Sequence, residues 1–279
     1  MEQKLGSTRL PGGTTIAYAT AGGGPLLLFI GGWLSHLELS WALPAERHLF
    51  EGLARGRTVI RYDRPGCGLS DRPTQASASL ESELDVVAAV IAATDAERVD
   101  VMASSLGVPV AVAWAARHPE TVDRMVLYGG WARGTDIAPA PVREHVVGLV
   151  ASHWGLGADV LTDIFAPEAS VGTRSALAAY QRHASSAETA ANLLELCYHI
   201  DVTDSLGQVT APRWSCTGNT TVPPRSSRRG SSPHASFAPG CGSFPAGRTF
   251  HTSETSTRLS QQPGSSSACR RATGRRRPP

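Results

Sequence analysis

The chain reads as an α/β fold: a mostly parallel central sheet with helices on both faces and an inserted helical lid. Three observations predict it. Short apolar runs ending in glycine alternate with stretches of helical spacing over the first 130 residues. A wholly helical block follows, between Trp131 and Asp204. One serine stands in a small-x-Ser-x-Gly turn between an expected strand and an expected helix. With 279 residues, 41% of them hydrophobic and 18% charged, the chain can bury the core of one such domain.

Residues 14–20 (TTIAYAT) alternate after a Gly-Gly turn and predict a strand. Residues 25–30 (PLLLFI) are a continuous apolar run closed by Gly31-Gly32, as expected of a strand buried on both faces, and residues 57–62 (RTVIRY) repeat that character. Between residues 82 and 93, Leu84, Val87, Val90 and Ile91 fall at helical spacing. Residues 100–103 (DVMA) predict a strand, 106–117 an Ala-rich helix ending before Pro119, and 124–128 (RMVLY) a strand closed by Gly129-Gly130. Strands separated by helices imply right-handed crossovers and a parallel sheet, whose chemistry is sought at the carboxyl ends of its strands. Helical pieces at 146–154, 160–165, 175–182 and 187–199 predict the lid. The expected organisation is residues 1–130 as the first part of the core, 131–204 as lid, 205–212 as the return to the core, and 213–279 as an aberrant basic tail, with the sheet truncated after residue 212.

The tail stands apart by composition. Arg, Ser, Thr, Pro and Gly supply 47 of its 67 residues, and its eleven arginines face a single acid, Glu254, whereas residues 1–212 hold 15 basic and 23 acidic residues. Such a segment buries too little apolar surface to offset its ordering entropy, so disorder is expected. The chain has one lysine, Lys4, against 25 arginines, which points to GC-rich coding. Restoring one base before the codon for Arg213 then allows an apolar strand followed by an acid, and the same shift around residues 245–254 allows a histidine. The tail is therefore expected to be a shifted reading frame of the same gene.

Other classes are excluded by what the residues lack. No apolar run reaches the ~18 residues of a membrane helix, and the opening MEQKLGSTRL has no secretory apolar stretch. The five cysteines (67, 197, 216, 241 and 269) are scattered without a CxxC pair, against a disulfide framework or zinc site. A cytoplasmic protein without cofactor or metal is expected.

The sharpest chemical signal is Asp100-Val-Met-Ala-Ser-Ser-Leu-Gly107. A nucleophile on a strained strand-to-helix turn needs small residues two positions away on either side, and Ala103 and Gly107 meet that need around Ser105. Ser104 fails the test, because Leu106 lies two residues after it. The turn also aims the N–H of Leu106 and the helix N-terminus at a bound substrate. At the end of the buried strand, Gly31 and Gly32 let the backbone turn so that the N–H of Trp33 faces the same pocket. Two such N–H groups make an oxyanion hole.

On these residues the chain resembles the α/β-hydrolase superfamily over about residues 14–212. The landmarks are the Gly-Gly-Trp exit, the turn Arg61-Tyr-Asp-Arg-Pro-Gly-Cys-Gly-Leu-Ser-Asp71, the Ser105 elbow, and Ala115-Ala-Arg-His-Pro119 before the next strand. The resemblance implies ester or acyl hydrolysis of a small molecule through a serine nucleophile, with Asp63 as scaffold. It also implies a Ser–acid–His triad in that chain order. Two departures stand out: Ala103 replaces the common first glycine of the elbow, and Gly31 stands where relatives often carry His or Pro.

The second half of the triad is missing from its expected place. After Pro212 there is no Asp and no apolar strand, and the tail histidines are His234 and His251. His251 is the candidate base by its distance from the end, with no strand before it to fix its position. His145, His153, His183 and His199 fall on or beside lid helices, and His36, close to Trp33, is a candidate ligand contact. Catalysis is accordingly expected to be impaired. The competing reading is a non-catalytic, ligand-sensing hydrolase-like domain whose arginine runs (225–229 and 275–277) contact nucleic acid or anionic membrane. The tail lacks the aromatic interleaving, helical or zinc pattern of such arms, so neither a nucleic-acid nor a membrane partner is expected.

Overall fold

The computed structural model describes residues 1–72, 78–94 and 96–216. In chain order its strands are β1 (Lys4–Arg9), β2 (Thr15–Gly22), β3 (Leu26–Ile30), β4 (Thr58–Tyr62), β5 (Val99–Ser104), β6 (Val122–Tyr128) and β7 (Arg213–Cys216). The α-helices are α1 (Leu37–Ala42), α2 (Pro44–Leu53), α3 (Leu80–Ala92), α4 (Gly107–Arg117), α5 (Ala140–Ser152), α6 (Trp154–Phe165), α7 (Val171–Ala184) and α8 (Ala187–His199). The strands form one sheet in the order β1-β2-β4-β3-β5-β6-β7. The β1–β2 and β2–β4 pairs are antiparallel, and every pair from β4 to β7 is parallel.

The central strands are apolar on both sides because both sides are covered. Along β3, Leu28 and Ile30 join the larger core with Val86, Val87, Val90 and Val108 of α3 and α4, while Leu27 and Phe29 join Phe50 and Ala54 on the α2 side. Phe29 and Phe50 meet edge to face, 5.1 Å between centroids, a favoured aromatic geometry. Local signals set the helix starts. The Ser79 hydroxyl accepts the N–H of Ser82 in a capping box on α3, Ser170 and Ser186 cap α7 and α8, and Pro44 opens α2.

Strand register brings the chemistry together. Ile30 lies opposite Ala103, and Ala103 opposite Leu127, so β3, β5 and β6 end side by side. Helices α5–α8 separate β6 from β7 and are tied to the core: the N–H of Gly68 donates to the carbonyl of Ala184 at 2.8 Å, and Cys67 forms an antiparallel bridge with Ser185.

Four elements depart from the expectation. The sheet does not stop after residue 212: β7 adds four residues beside β6, with Met125 opposite Arg213 and Tyr128 opposite Cys216. Strand pairing is a backbone matter, and an edge strand with exposed Arg213 and Trp214 needs no apolar run. The tail expected from residue 213 thus yields its first four residues to the sheet, and residues 217–279, with His234 and His251, lie outside the described residues. At the opposite edge β1 went unforeseen for the same reason, its side chains being exposed or half-buried. Helices α1 and α2 also fill a connection for which no element was expected.

Candidate active site

Ser105 lies between β5 and α4 with φ of 53°, the only positive φ of a non-glycine residue among the described residues. An L-residue there is strained, and the surroundings hold it. Its N–H donates to the carbonyl of Tyr128 at 3.0 Å, and its carbonyl accepts the N–H of Val108 at 2.9 Å. The small neighbours have a visible cause. Ala103 is fully buried in β5, and a methyl group added to Gly107 would stand 2.7 Å from the carbonyl oxygen of Gly31 and closer still to that of Ile30. Strand β3 and helix α4 touch at this point, so Gly107 is required by close approach.

Gly31 and Gly32 follow β3 directly, and a methyl group built on Gly32 would lie 3.7 Å from Ser105 Cβ. The Gly-Gly-Trp exit and the elbow are therefore neighbours. Leu106, fully buried, is the residue from which α4 starts. The first N–H groups of a helix have no intrahelical acceptor, and the helix dipole favours negative charge at that end. Trp33 is buried and meets both ends of α6, with centroids 6.1 Å from Trp154 and 6.3 Å from Phe165, both near perpendicular. This gives the exit of β3 an aromatic wall. Neither Trp154 nor Phe165 stands out in the sequence as part of this wall, because their approach to Trp33 depends on how α6 folds back.

Asp63 is fully buried, and its Oδ2 accepts the N–H groups of Leu37 at 3.2 Å and Leu69 at 2.9 Å. Burial raises its carboxyl above the ordinary range, against the pull of those N–H groups. It ties the start of α1 to the turn after β4, which is scaffold geometry. Arg64 follows it in the turn, and the sequence assigns it no role. Its side chain is 1% exposed; Nε donates to Glu83 Oε2 at 2.8 Å, Nη2 to the Gly31 carbonyl at 3.0 Å, and Nη1 to the Gly32 carbonyl.

Seven of the nine histidines fall among the described residues. His36 Nδ1 accepts the Leu39 N–H at 3.4 Å as the cap of α1, which gives it a structural place beside the site. His145, His183 and His199 are exposed, each with Nδ1 against the carbonyl four residues earlier; His153 is exposed between α5 and α6. His48 is exposed on α2, and His118 stacks on Trp114 with centroids 4.1 Å apart. Among the described residues no group of three or more His, Cys, Asp or Glu is arranged to hold a metal, and no helix is long and apolar enough to cross a membrane. A cleft of about 680 Å³ lies along α8, lined by Ser79, Glu188, Asn192, Glu195 and Asp201 among others. It shares no residue with the Ser105 turn or the glycine exit.

Residues 25–209 match the family model for the alpha/beta hydrolase fold. Over 130 residues the chain is 35% identical to the pyrrolizixenacetamide deacetylase of Xenorhabdus hominickii, a stretch covering 45% of each chain. Over 77 residues it is 40% identical to the 2-hydroxymuconate semialdehyde hydrolase of a Pseudomonas species, covering 28% of this chain and 27% of that one. The chain thus spans less than half the length of these curated relatives. Among solved structures, the bromoperoxidase from Bacillus anthracis is similar with a TM-score of 0.65 at 18% identity, over 77% of this chain and 82% of that one. The enol-lactonase from Burkholderia xenovorans also gives a TM-score of 0.65, at 20% identity over 77% and 81%. With the strand order, the elbow and the glycine exit in agreement with that match, the chain belongs to the alpha/beta hydrolase fold family.

Proposed function

We propose that the chain derives from a hydrolase of small carboxylic esters or similar acyl compounds, with Ser105 as nucleophile and the N–H groups of Trp33 and Leu106 as oxyanion donors. The observation that carries this reading is the strained Ser105 at the β5–α4 turn, directly beside Gly32. In the reaction Ser105 Oγ bonds to the acyl carbon and its proton passes to a base. The carbonyl oxygen becomes an oxyanion between the two N–H groups, and the alcohol or amine leaves before water releases the acid. The relatives named as a deacetylase and a hydrolase support the class. Helices α5–α8 act as the lid in this reading, and the wall of Trp33, Trp154 and Phe165 suits an apolar acyl group.

The same reading makes the chain a slow catalyst as written. The part after Pro212 holds no Asp, and its histidines, His234 and His251, follow no apolar run that would fix them. Without base and acid, oxyanion-hole and binding effects leave about 10³–10⁴ over water. The test is a panel of activated esters with the full chain and Ser105→Ala, together with fluorophosphonate labelling read by peptide mass. Slow labelling at Ser105 with weak turnover is expected, since no apolar run fixes a tail histidine as the base for the hydroxyl proton. Labelling at another serine would overturn the nucleophile, and robust turnover abolished by Ser105→Ala would overturn the impairment. The nucleotide sequence around the codon for Arg213 tests its origin: a hydrolase-like neighbouring frame is expected there.

A further inference from the structure

We propose that Arg64 is a positioning residue for the oxyanion hole: by holding the carbonyl oxygens of Gly31 and Gly32 it sets the direction of the peptides that carry the N–H groups of Gly32 and Trp33. This rests on the reading of the Trp33 N–H as an oxyanion donor. In a trans peptide the carbonyl and the following N–H point opposite ways, and no peptide bond among the described residues is cis. Fixing the Gly31 and Gly32 carbonyls therefore fixes both N–H directions. The need is greatest here, since two consecutive glycines are the freest backbone a chain can have.

The grip is built for that task. The guanidinium fork spends Nη1 and Nη2 on the two consecutive carbonyls and Nε on Glu83, while the backbone N–H of Arg64 donates to Ser35 Oγ at 3.0 Å. Glu83, from the first turn of α3 and 3% exposed, supplies the opposite charge that a buried guanidinium requires. The segment from Gly31 to Ser35 is thus clamped at three points to one residue. Lysine would keep the charge but cannot present a planar fork to two carbonyls and a carboxylate together.

Two variants of the full chain test this. Arg64→Lys keeps the charge and removes the fork; Arg64→Met/Glu83→Leu removes both buried charges and leaves apolar groups in their place. Amide hydrogen exchange is followed by mass in a peptide spanning residues 29–36 and in one spanning 99–110, together with the rate of fluorophosphonate labelling at Ser105. Both variants are expected to exchange about tenfold faster or more in 29–36 while 99–110 stays within about twofold of the parent. Labelling is expected to slow by at least about tenfold in its maximal rate, since losing one oxyanion donor typically costs ~10²–10³, with little change in the probe concentration needed for half-saturation. Exchange like the parent's in 29–36, or a uniform loss of protection across both peptides, would overturn the proposal. A parent that does not label at Ser105 would overturn the nucleophile instead, and the exchange ratio would then decide only whether Arg64 fixes the Gly31 and Gly32 peptides.

Discussion

Gly107→Ala is the substitution for which the geometry makes the firmest demand. The added methyl would lie 2.7 Å from the Gly31 carbonyl oxygen and from the Ile30 carbonyl carbon, and closer to the Ile30 oxygen. A carbon–oxygen contact normally sits at about 3.3–3.6 Å, so relieving the contact with the Ile30 oxygen requires α4 and β3 to part by more than about 1 Å. Neither side yields easily. Ile30 is fully buried and paired with Ala103, and Leu106, Val108 and Val110 around the start of α4 are fully buried too. Overpacking of this kind costs about 1–3 kcal/mol and occasionally more, and backbone on both sides points to the upper end. The helix-propensity gain of alanine, at most ~1 kcal/mol, works the other way. A net loss of about 2–3 kcal/mol is expected, from a domain whose whole stability is on the order of 5–15 kcal/mol. Urea unfolding followed by circular dichroism reads this as a midpoint lowered by about 1–2 M. Gly148→Ala in α5, where a methyl meets nothing within 4 Å, should instead stabilise by up to about 1 kcal/mol. If Gly107→Ala unfolds within about 0.5 kcal/mol of the parent, the close approach of β3 and α4 is wrong.

Two further outcomes follow from single residues. Ser105→Gly relieves a positive φ that costs an L-residue about 1–2 kcal/mol, less the ~0.5–1 kcal/mol entropy of glycine, so it should unfold at or slightly above the parent's temperature. Ser105→Ala keeps its Cβ and the strain, and a Gly variant less stable than the Ala variant would contradict the conformation. The Cys67 thiol, fully buried in the turn after β4, is pushed up to about 11 by burial from an ordinary 9. A raised folded-state value contributes stability that is complete below about pH 9 and lost as pH rises toward about 11, roughly 2–3 kcal/mol in all. Urea midpoints of the parent and of Cys67→Ala should therefore converge over that window, and a difference independent of pH would refute the shift.

The sequence alone carried the elements whose side chains report burial. The apolar runs of β3, β4 and β5 are visible because both faces of those strands are covered, and α8 spans residues 187–199 as its periodicity and the Ser186 cap require. The elbow was legible too, because Ala103, Ser105 and Gly107 encode a local steric demand within five residues. Tertiary structure decided what no local pattern encodes. Edge strands β1 and β7 gain their place through backbone pairing, which leaves exposed side chains such as Trp214 without periodicity. The adjacency of Gly32 and Ser105, 73 residues apart in the chain, exists because the strand order sets β3 against β5. Arg64 was in plain view, but its partner Glu83 belongs to another element and its acceptors are main-chain carbonyls. Backbone groups are the same at every residue, so only the folded chain shows which of them a side chain holds.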